Sequence, residues 1–177
     1  MWWRSTAVVR GRWSNAAHVG IGAEAASAAA DLKEALGAAA YPLGAAIAGA
    51  TATGWGLRVE VDGAVLADGN ERLLMVGVYN GRTIGGGAPL APQALVTDGL
   101  ADVVVCRAVG PLARVGFATA LREGEHLARE DVELVRGRSV TVSGEPFPLN
   151  ADGEVTDGVT SRTWTVRPGA WSALVPG

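Results

Sequence analysis

Residues 79–103, YNGRTIGGGAPLAPQALVTDGLADV, decide how the rest of the chain is read. They leave one apolar run, residues 73–79, and deliver the chain to another, which begins at Val103 and includes Cys106. Between the two stand the consecutive glycines Gly85, Gly86 and Gly87, the prolines Pro89 and Pro92, and the pair Asp98-Gly99. Glycine reaches backbone angles that other residues resist, and lets a ligand or a second backbone come close. Asp-Gly suits a tight turn, and its carboxylate is also a ligand for a hard cation. By composition alone this is a long loop, since glycine and proline are the ordinary punctuation of loops. The apolar runs on either side of it read as central strands.

Working outward, Leu57, Val59 and Val61 alternate with Arg58, Glu60 and Asp62, the pattern of a half-buried strand. Asp62-Gly63 predicts a hairpin, residues 64–67 the returning strand, and Asp68-Gly69-Asn70 the next turn. Nearer the N-terminus, residues 7–10 and 12–15 read as short strands about Gly11. Gly20-Ile21-Gly22 opens an alanine-rich helix over residues 23–36, with Gly37 as its cap. A second helix of small residues, 38–52, carries Pro42 in its first turn, where proline is tolerated. Downstream, Pro111 begins a helix, with Leu112, Val115, Ala118 and Leu121 as its apolar face and Gly124 and His126 at its end. Residues 132–135, 139–143, 160–166 and 170–175 read as shorter strands, with Trp164 and Trp171 covering a sheet edge or the core. Strands outnumber helices and most are joined by hairpin-length turns, so antiparallel pairing should dominate. The expected fold class is α+β and β-rich. No repeat, linker or composition shift divides the chain, which reads as a single domain over residues 1–177.

At 177 residues the chain is long enough for a sizeable core. Its 49% apolar and 19% charged residues mark it as globular rather than disordered. A net charge of −3, without any basic cluster interleaved with aromatics, argues against a nucleic-acid partner. The lone Cys106 excludes an intrachain disulfide, reads as a buried small apolar side chain, and fits a reducing compartment. No N-terminal apolar run is long enough for a secretory signal. Residues 35–57 carry no charge and could span a bilayer by length, yet they are mostly Ala, Gly and Thr with Pro42 inside, so they read as soluble. A cytoplasmic location is the expectation.

A second constellation is Asn150-Ala151-Asp152-Gly153-Glu154. A glycine turn can hold one carboxylate toward a cleft while the other fixes the turn. A carboxylate poised beside a hydroxyl can take its proton as that oxygen attacks phosphorus. Taken alone, the string reads as an exposed turn with a solvated glutamate, because Asp-Gly recurs at 62, 68, 98 and 157. His126 is a candidate general acid or base, but at a helix end it reads rather as a capping or packing residue, and His18 carries no assignment. Asn80 and Arg82 flank the glycine loop as candidates to touch a phosphate, although Arg82 reads equally as a solvated side chain.

Asn80-Gly81, the triple glycine, Leu90-Ala91-Pro92, Ala94 and Asp98-Gly99-Leu100, followed by Asp152-Gly153-Glu154, stand in an order and spacing that resembles the diacylglycerol kinase-like lipid kinases. That family includes bacterial lipid kinases, sphingosine kinases and ceramide kinases. Gly124-Glu125-His126, Leu36-Gly37, Tyr41, and Asn15 with Gly20-Ile21-Gly22-Ala23-Glu24-Ala25 fit the same pattern, with Glu24 where the family usually has Asp. The resemblance runs from about residue 7 to 176 and matches the C-terminal half of such a kinase alone. The family's nucleotide-binding Gly-Gly-Asp-Gly-Thr string does not occur in this sequence, nor does a phosphate loop of the Gly-x-x-x-x-Gly-Lys type.

The resemblance implies a two-layer antiparallel β-sandwich-like domain with a few helices, similar to that of lipid kinases and NAD kinases. Such a domain contributes to the lipid acceptor site and closes the cleft over ATP. The resemblance further implies Glu154 as the carboxylate that activates the acceptor hydroxyl, with Asp152 supporting the turn. It implies Mg2+ at Asp98 with the carbonyls of Leu95 and Leu100, the other reading of Asp98 being a plain turn acid. The lipid would be diacylglycerol or similar. ATP would be held chiefly by an N-terminal kinase domain or partner chain, so this chain alone is expected to be inactive. Peripheral membrane contact and a homo-oligomer are further expectations. The rival reading is a non-catalytic lipid- or partner-binding module descended from such a kinase. A nucleotide acceptor, by analogy with NAD kinases, is a weaker third reading.

Overall fold

The computed structural model describes residues 2–5, 12–13, 15–21, 23, 53–84 and 87–170. The strands are β1 (Trp2–Ser5), β2 (Arg12–Trp13), β3 (Ala16–Gly20), β4 (Trp55–Val61), β5 (Ala64–Leu73), β6 (Met75–Tyr79), β7 (Ala101–Cys106), β8 (Val132–Gly137), β9 (Ser139–Ala151) and β10 (Glu154–Arg167). One helix, α1 (Pro111–Glu123), stands among the described residues, followed by a single 3-10 turn at His126–Ala128.

Every strand pairing is antiparallel. The strand order is β2-β1-β10-β9-β3-β6-β7-β8, with β4 pairing β9 and carrying β5. Strand β9 explains how one sheet becomes a sandwich-like fold. Along one side it pairs β10. Along the other, Val140 to Gly144 pair β4 and Leu149 to Ala151 pair β3. The β4 pairing ends at Gly144, where a Cβ would stand 2.2 Å from the carbonyl oxygen of Gly56. Only glycine admits so close a crossing.

Curling encloses one apolar cluster, with Leu57, Val59, Val76, Val103, Phe147 and Trp164 among its members. A second lies on the outer face of β6 and β7, where Met75, Tyr79, Val104 and Cys106 meet Leu90, Ala94 and Phe117. Strands β6 and β7 are therefore covered on both faces, which is why their sequences are apolar throughout apart from Asp102 at the start of β7. Strand β4 alternates buried and less buried positions as its sequence predicts. The Asp62-Gly63 hairpin forms with both residues at positive φ, 50° and 86°.

Several expectations are corrected. The apolar run at 73–79 is not one strand: Leu73 ends β5, Leu74 turns the chain and donates its N–H to the Cys106 carbonyl at 2.8 Å, and β6 starts at Met75. Asp68-Gly69-Asn70 makes no turn. Strand β5 runs through it with a bulge, since Gly56 faces Arg72 whereas Arg58 faces Asp68. The Asp68 carboxylate accepts the Asn70 N–H at 2.9 Å and so absorbs the extra residues.

Helix α1 begins at Pro111 and ends at Gly124 (φ 78°), as read, but its buried face differs. Phe117 is buried and Ala113 and Leu121 pack beside it, while Leu112 is 88% and Val115 65% exposed. One aromatic, spaced four residues from its helpers, outweighs the threefold aliphatic row. Strands β8, β9 and β10 are longer than expected, and Trp164 is in the core. The strand expected at 7–10, the helix over 23–36 beyond Ala23, the helix over 38–52, nearly all of the strand at 170–175, and Gly85 and Gly86 lie outside the described residues. Among the described residues no helix is long and apolar enough to cross a membrane.

Candidate functional site

Antiparallel register sets the site. Ala16 faces Tyr79, Tyr79 faces Asp102, and Asp102 faces Arg136. With Ala17 opposite Ala151, this row crosses β9, β3, β6, β7 and β8 at one end of the sheet. Both stretches singled out in the sequence emerge from that end.

The β9–β10 hairpin turns through Asp152 and Gly153, both at positive φ (48° and 97°). The Asn150 Oδ1 accepts the Gly153 N–H at 2.9 Å and closes the turn. The Asp152 carboxylate points at backbone: its Oδ1 accepts the N–H of Asn15 at 3.1 Å and of Ala16 at 2.9 Å. The Asp152 N–H in turn donates to the Ala16 carbonyl at 3.0 Å. Glu154, the first residue of β10, is exposed and faces Ala151 across the ladder.

Asn15 then ties this turn to the head of the glycine-rich loop. Its carbonyl accepts the N–H of Asn80 at 2.8 Å and of Gly81 at 3.2 Å. Its Nδ2 donates to the Thr83 carbonyl at 3.1 Å. The fit admits no side chain at 81, where a Cβ would stand 2.0 Å from Asn15 Oδ1. The loop is closed further on by the Arg82 carbonyl accepting the Ala91 N–H and by Arg82 Nε donating to the Ala94 carbonyl, each at 3.2 Å. At its far side the Leu90 carbonyl lies 3.1 Å from His126 Nε2, and the His126 ring stands edge-on to Phe117. His126 is thus a packing residue that holds the loop against α1, as its sequence position suggests.

Behind the turn lies a pair that sequence reading missed. His18 sits between Gly77 of β6 and Asn150 of β9 in the ladders, with its Nδ1 3.1 Å from the Tyr79 hydroxyl. The Tyr79 ring folds back over Gly77, where a Cβ would meet the hydroxyl at 2.1 Å. Burial pushes the His18 imidazole down to about 4, against the pull of the Asp152 charge. Burial also pushes the Tyr79 phenol well up, so both rings are neutral at pH 7. The available signal was a histidine two residues before the end of a short strand, beside a glycine that makes room for tyrosine.

Asp98 closes its own turn. Its Oδ1 accepts the Leu100 N–H at 2.9 Å, and its N–H donates to the Leu95 carbonyl at 3.4 Å. Its Oδ2 is paired with the Arg136 guanidinium. The Arg136 Nε also stands 3.5 Å from Asp102 Oδ1, and the Asp102 side chain is 1% exposed. Burial raises the Asp102 pKa, with Arg136 opposing. A magnesium ion on the Asp98 carboxylate and the Leu95 and Leu100 carbonyls would meet an arginine already on that carboxylate. As found, these residues fit an arginine-neutralised turn better than a divalent cation. Among the described residues no three His, Cys, Asp or Glu side chains gather as metal ligands. The Asp98 turn shares its end of the sheet with Glu154, but β7, into which that turn leads, and β10, which Glu154 begins, are four strand spacings apart, about 19 Å along the sheet.

A curled antiparallel sandwich-like sheet, with an Asp-Gly-Glu hairpin clasped to a glycine-rich loop, defines a lipid kinase-like C-terminal domain. The chain belongs to the family described as the YegS C-terminal NAD kinase beta sandwich-like domain, whose model matches residues 15–175. It is 38% identical over 84 residues to a Xanthomonas oryzae pv. oryzae protein named "Probable lipid kinase YegS-like", covering 46% of this chain and 27% of that protein. It is 37% identical over 107 residues to a protein of the same name from Pseudomonas syringae pv. tomato, covering 59% of this chain and 33% of the relative. The matches thus span about a third or less of these relatives. A solved structure described as "a putative diacylglycerol kinase from Bacillus anthracis str. Sterne" superposes with a TM-score of 0.68 at 19% identity, covering 95% of this chain and 54% of that one. At that identity the likeness is one of fold.

Proposed function

We propose that this domain is the acceptor-side half of an ATP-dependent lipid kinase, and that Glu154 is its general base. The observation that carries this reading is the Asn15 clasp, which fastens the Asp152–Glu154 hairpin to the head of the glycine-rich loop. The two acids of the hairpin divide the work. Asp152 is a positioning residue, since its carboxylate is engaged by backbone amides. Glu154 is exposed at the adjoining position and can receive a proton.

In the reaction, a hydroxyl of a diacylglycerol-like lipid attacks the γ-phosphorus of ATP. Its proton passes to the Glu154 carboxylate as the new O–P bond forms, and the bond to the ADP oxygen breaks. ATP and its magnesium would be held chiefly by a nucleotide-binding domain of the kind whose Gly-Gly-Asp-Gly-Thr string this sequence does not carry. Peripheral contact with the membrane would bring the lipid.

The test is phosphoryl transfer from labelled ATP to diacylglycerol in mixed micelles with magnesium. It compares the chain alone, the chain with a separately supplied N-terminal kinase domain, and Glu154→Gln in both settings. Activity is expected only in the complemented sample, reduced by about 10²-fold or more in Glu154→Gln. Full activity of Glu154→Gln would remove the residue from the chemistry. No activity despite binding of the partner domain would leave a non-catalytic binding module as the better account.

A further inference from the structure

We propose that Arg82 is a phosphate-recognition residue of this site, offering the outer nitrogens of its guanidinium to a phosphate monoester beside the Asp152–Glu154 hairpin. Its backbone position is fixed on both sides by one residue. The preceding Gly81 N–H and the following Thr83 carbonyl are both bonded to Asn15, whose own N–H is bonded to Asp152. Residue 82 is thereby held next to the hairpin.

Its side chain is also held. Arg82 Nε donates to the Ala94 carbonyl at 3.2 Å, which steadies the long stem and leaves the two Nη groups as the free end of the fork. That end meets no carboxylate among the described residues, and the side chain is exposed. Several other arginines of the sheet surface are neutralised: Arg58 by Glu60, Arg72 by Glu145, Arg107 by Glu71 and Glu133, and Arg129 by Asp131. A steadied arginine without a counter-charge among the described residues, on a glycine-rich loop that lets a ligand approach the backbone, suits an oxyanion with two adjacent acceptor oxygens. A phosphate monoester meets that description, and it is also the group a lipid kinase creates on its acceptor. The lipid identity of the ligand rests on the proposed function, whereas the phosphate chemistry of Arg82 does not.

The experiment is a titration of the isotope-labelled full chain, followed by amide NMR at low salt. The probes are dihexanoyl phosphatidic acid, inorganic phosphate, and dihexanoyl phosphatidylglycerol as a phosphodiester control. Phosphatidic acid is expected to shift the amides of Gly81, Thr83 and Glu154. Arg82→Gln is expected to weaken its binding about tenfold, and Arg82→Lys to restore only part, because the ammonium keeps the charge and loses the fork. Arg138→Gln, at another exposed arginine, should bind as the unmodified chain does.

Unchanged amide positions outside residues 81–94 in the variants would show that the fold is kept. Equal binding by Arg82→Gln, or equal shifts with the phosphodiester, would overturn the proposal. Equal affinity for inorganic phosphate would keep Arg82 as a phosphate site and remove the lipid as its source. The two readings fail separately: a fully active Glu154→Gln sinks the base assignment without touching Arg82, and an Arg82-independent titration does the reverse.

Discussion

At Asp152 one carboxylate oxygen accepts two backbone amides from the start of β3, so its removal leaves both donors without their acceptor. Asp152→Ala should therefore cost about 1–3 kcal/mol in denaturant unfolding, whereas the exposed Glu154→Gln should stay within about 0.5 kcal/mol. If the proposed roles hold, activity in the complemented kinase should fall in both, with stability separating the proposed positioning acid from the proposed base. The string Asp-Gly-Glu could not show this division, because which acid turns toward backbone is decided by Asn15, far away in sequence. His18 carries a second consequence at this scale. The unfolded imidazole titrates near 6.5 and the folded one near 4, so the unfolded state binds the extra proton between these values. Stability should fall as pH drops through that window, by up to about 3 kcal/mol. His18→Gln should flatten the dependence seen in urea midpoints at pH 7, 5.5 and 4. A midpoint in the unmodified chain that is level across this range would refute the assignment. Burial also pushes the Cys106 thiol up to about 11. It should resist thiol reagents in native buffer and react on unfolding, in line with its reading as a packed apolar side chain.

The elements show where a sequence can be read and where it cannot. Asp-Gly occurs five times and serves three ends: hairpin turns at 62 and 152, bulges at 68 and 157, and a loop turn at 98. Each needs a glycine at positive φ, so the dipeptide marks a departure from extended backbone without saying which kind. Register decides, and register depends on strands distant in sequence. The alternation of β4 was legible because one side of it packs inward, and β6 and β7 were legible as central because both their faces are covered. Strand β10 hid more: Arg162, Trp164 and Val166 alternate inward, so an arginine takes a core position that a charge pattern would place in water. Helix α1 turned Leu112, Val115 and Ala118 of its aliphatic row outward and buried Phe117, with Leu121 beside it, instead. Phe117→Ala should cost about 3–5 kcal/mol and loosen the loop through His126, whereas Leu112→Ser should be nearly neutral. Thermal melts of the two variants decide this, and an equal loss in both would restore the aliphatic row as the packed face.

Across the whole molecule, one end of the sheet gathers Asp152, Tyr79, Asp102 and Arg136 from strands that are far apart in sequence, because antiparallel register aligns their ends. The family pattern made the loop and the hairpin visible as a pair. It could not show Arg136, which belongs to no motif and reaches Asp98 only because β8 lies beside β7. Arg136 also sits by the buried Asp102, so it neutralises carboxylates of both the loop and the sheet. If this guanidinium supplies the positive charge that the Asp98 turn needs, the melting midpoint of the unmodified chain should be the same in excess EDTA and in excess magnesium. Arg136→Gln should lower stability by about 1–3 kcal/mol, because it leaves the Asp102 charge buried without its partner. In that variant magnesium should recover part of the loss, since the Asp98 carboxylate and the carbonyls of its turn then have no competing cation. A midpoint that rises with magnesium in the unmodified chain would mean that the ion displaces Arg136. The Asp98 turn would then be a cation site, as the family resemblance implies, and Arg136 a side chain that covers it when the ion is away.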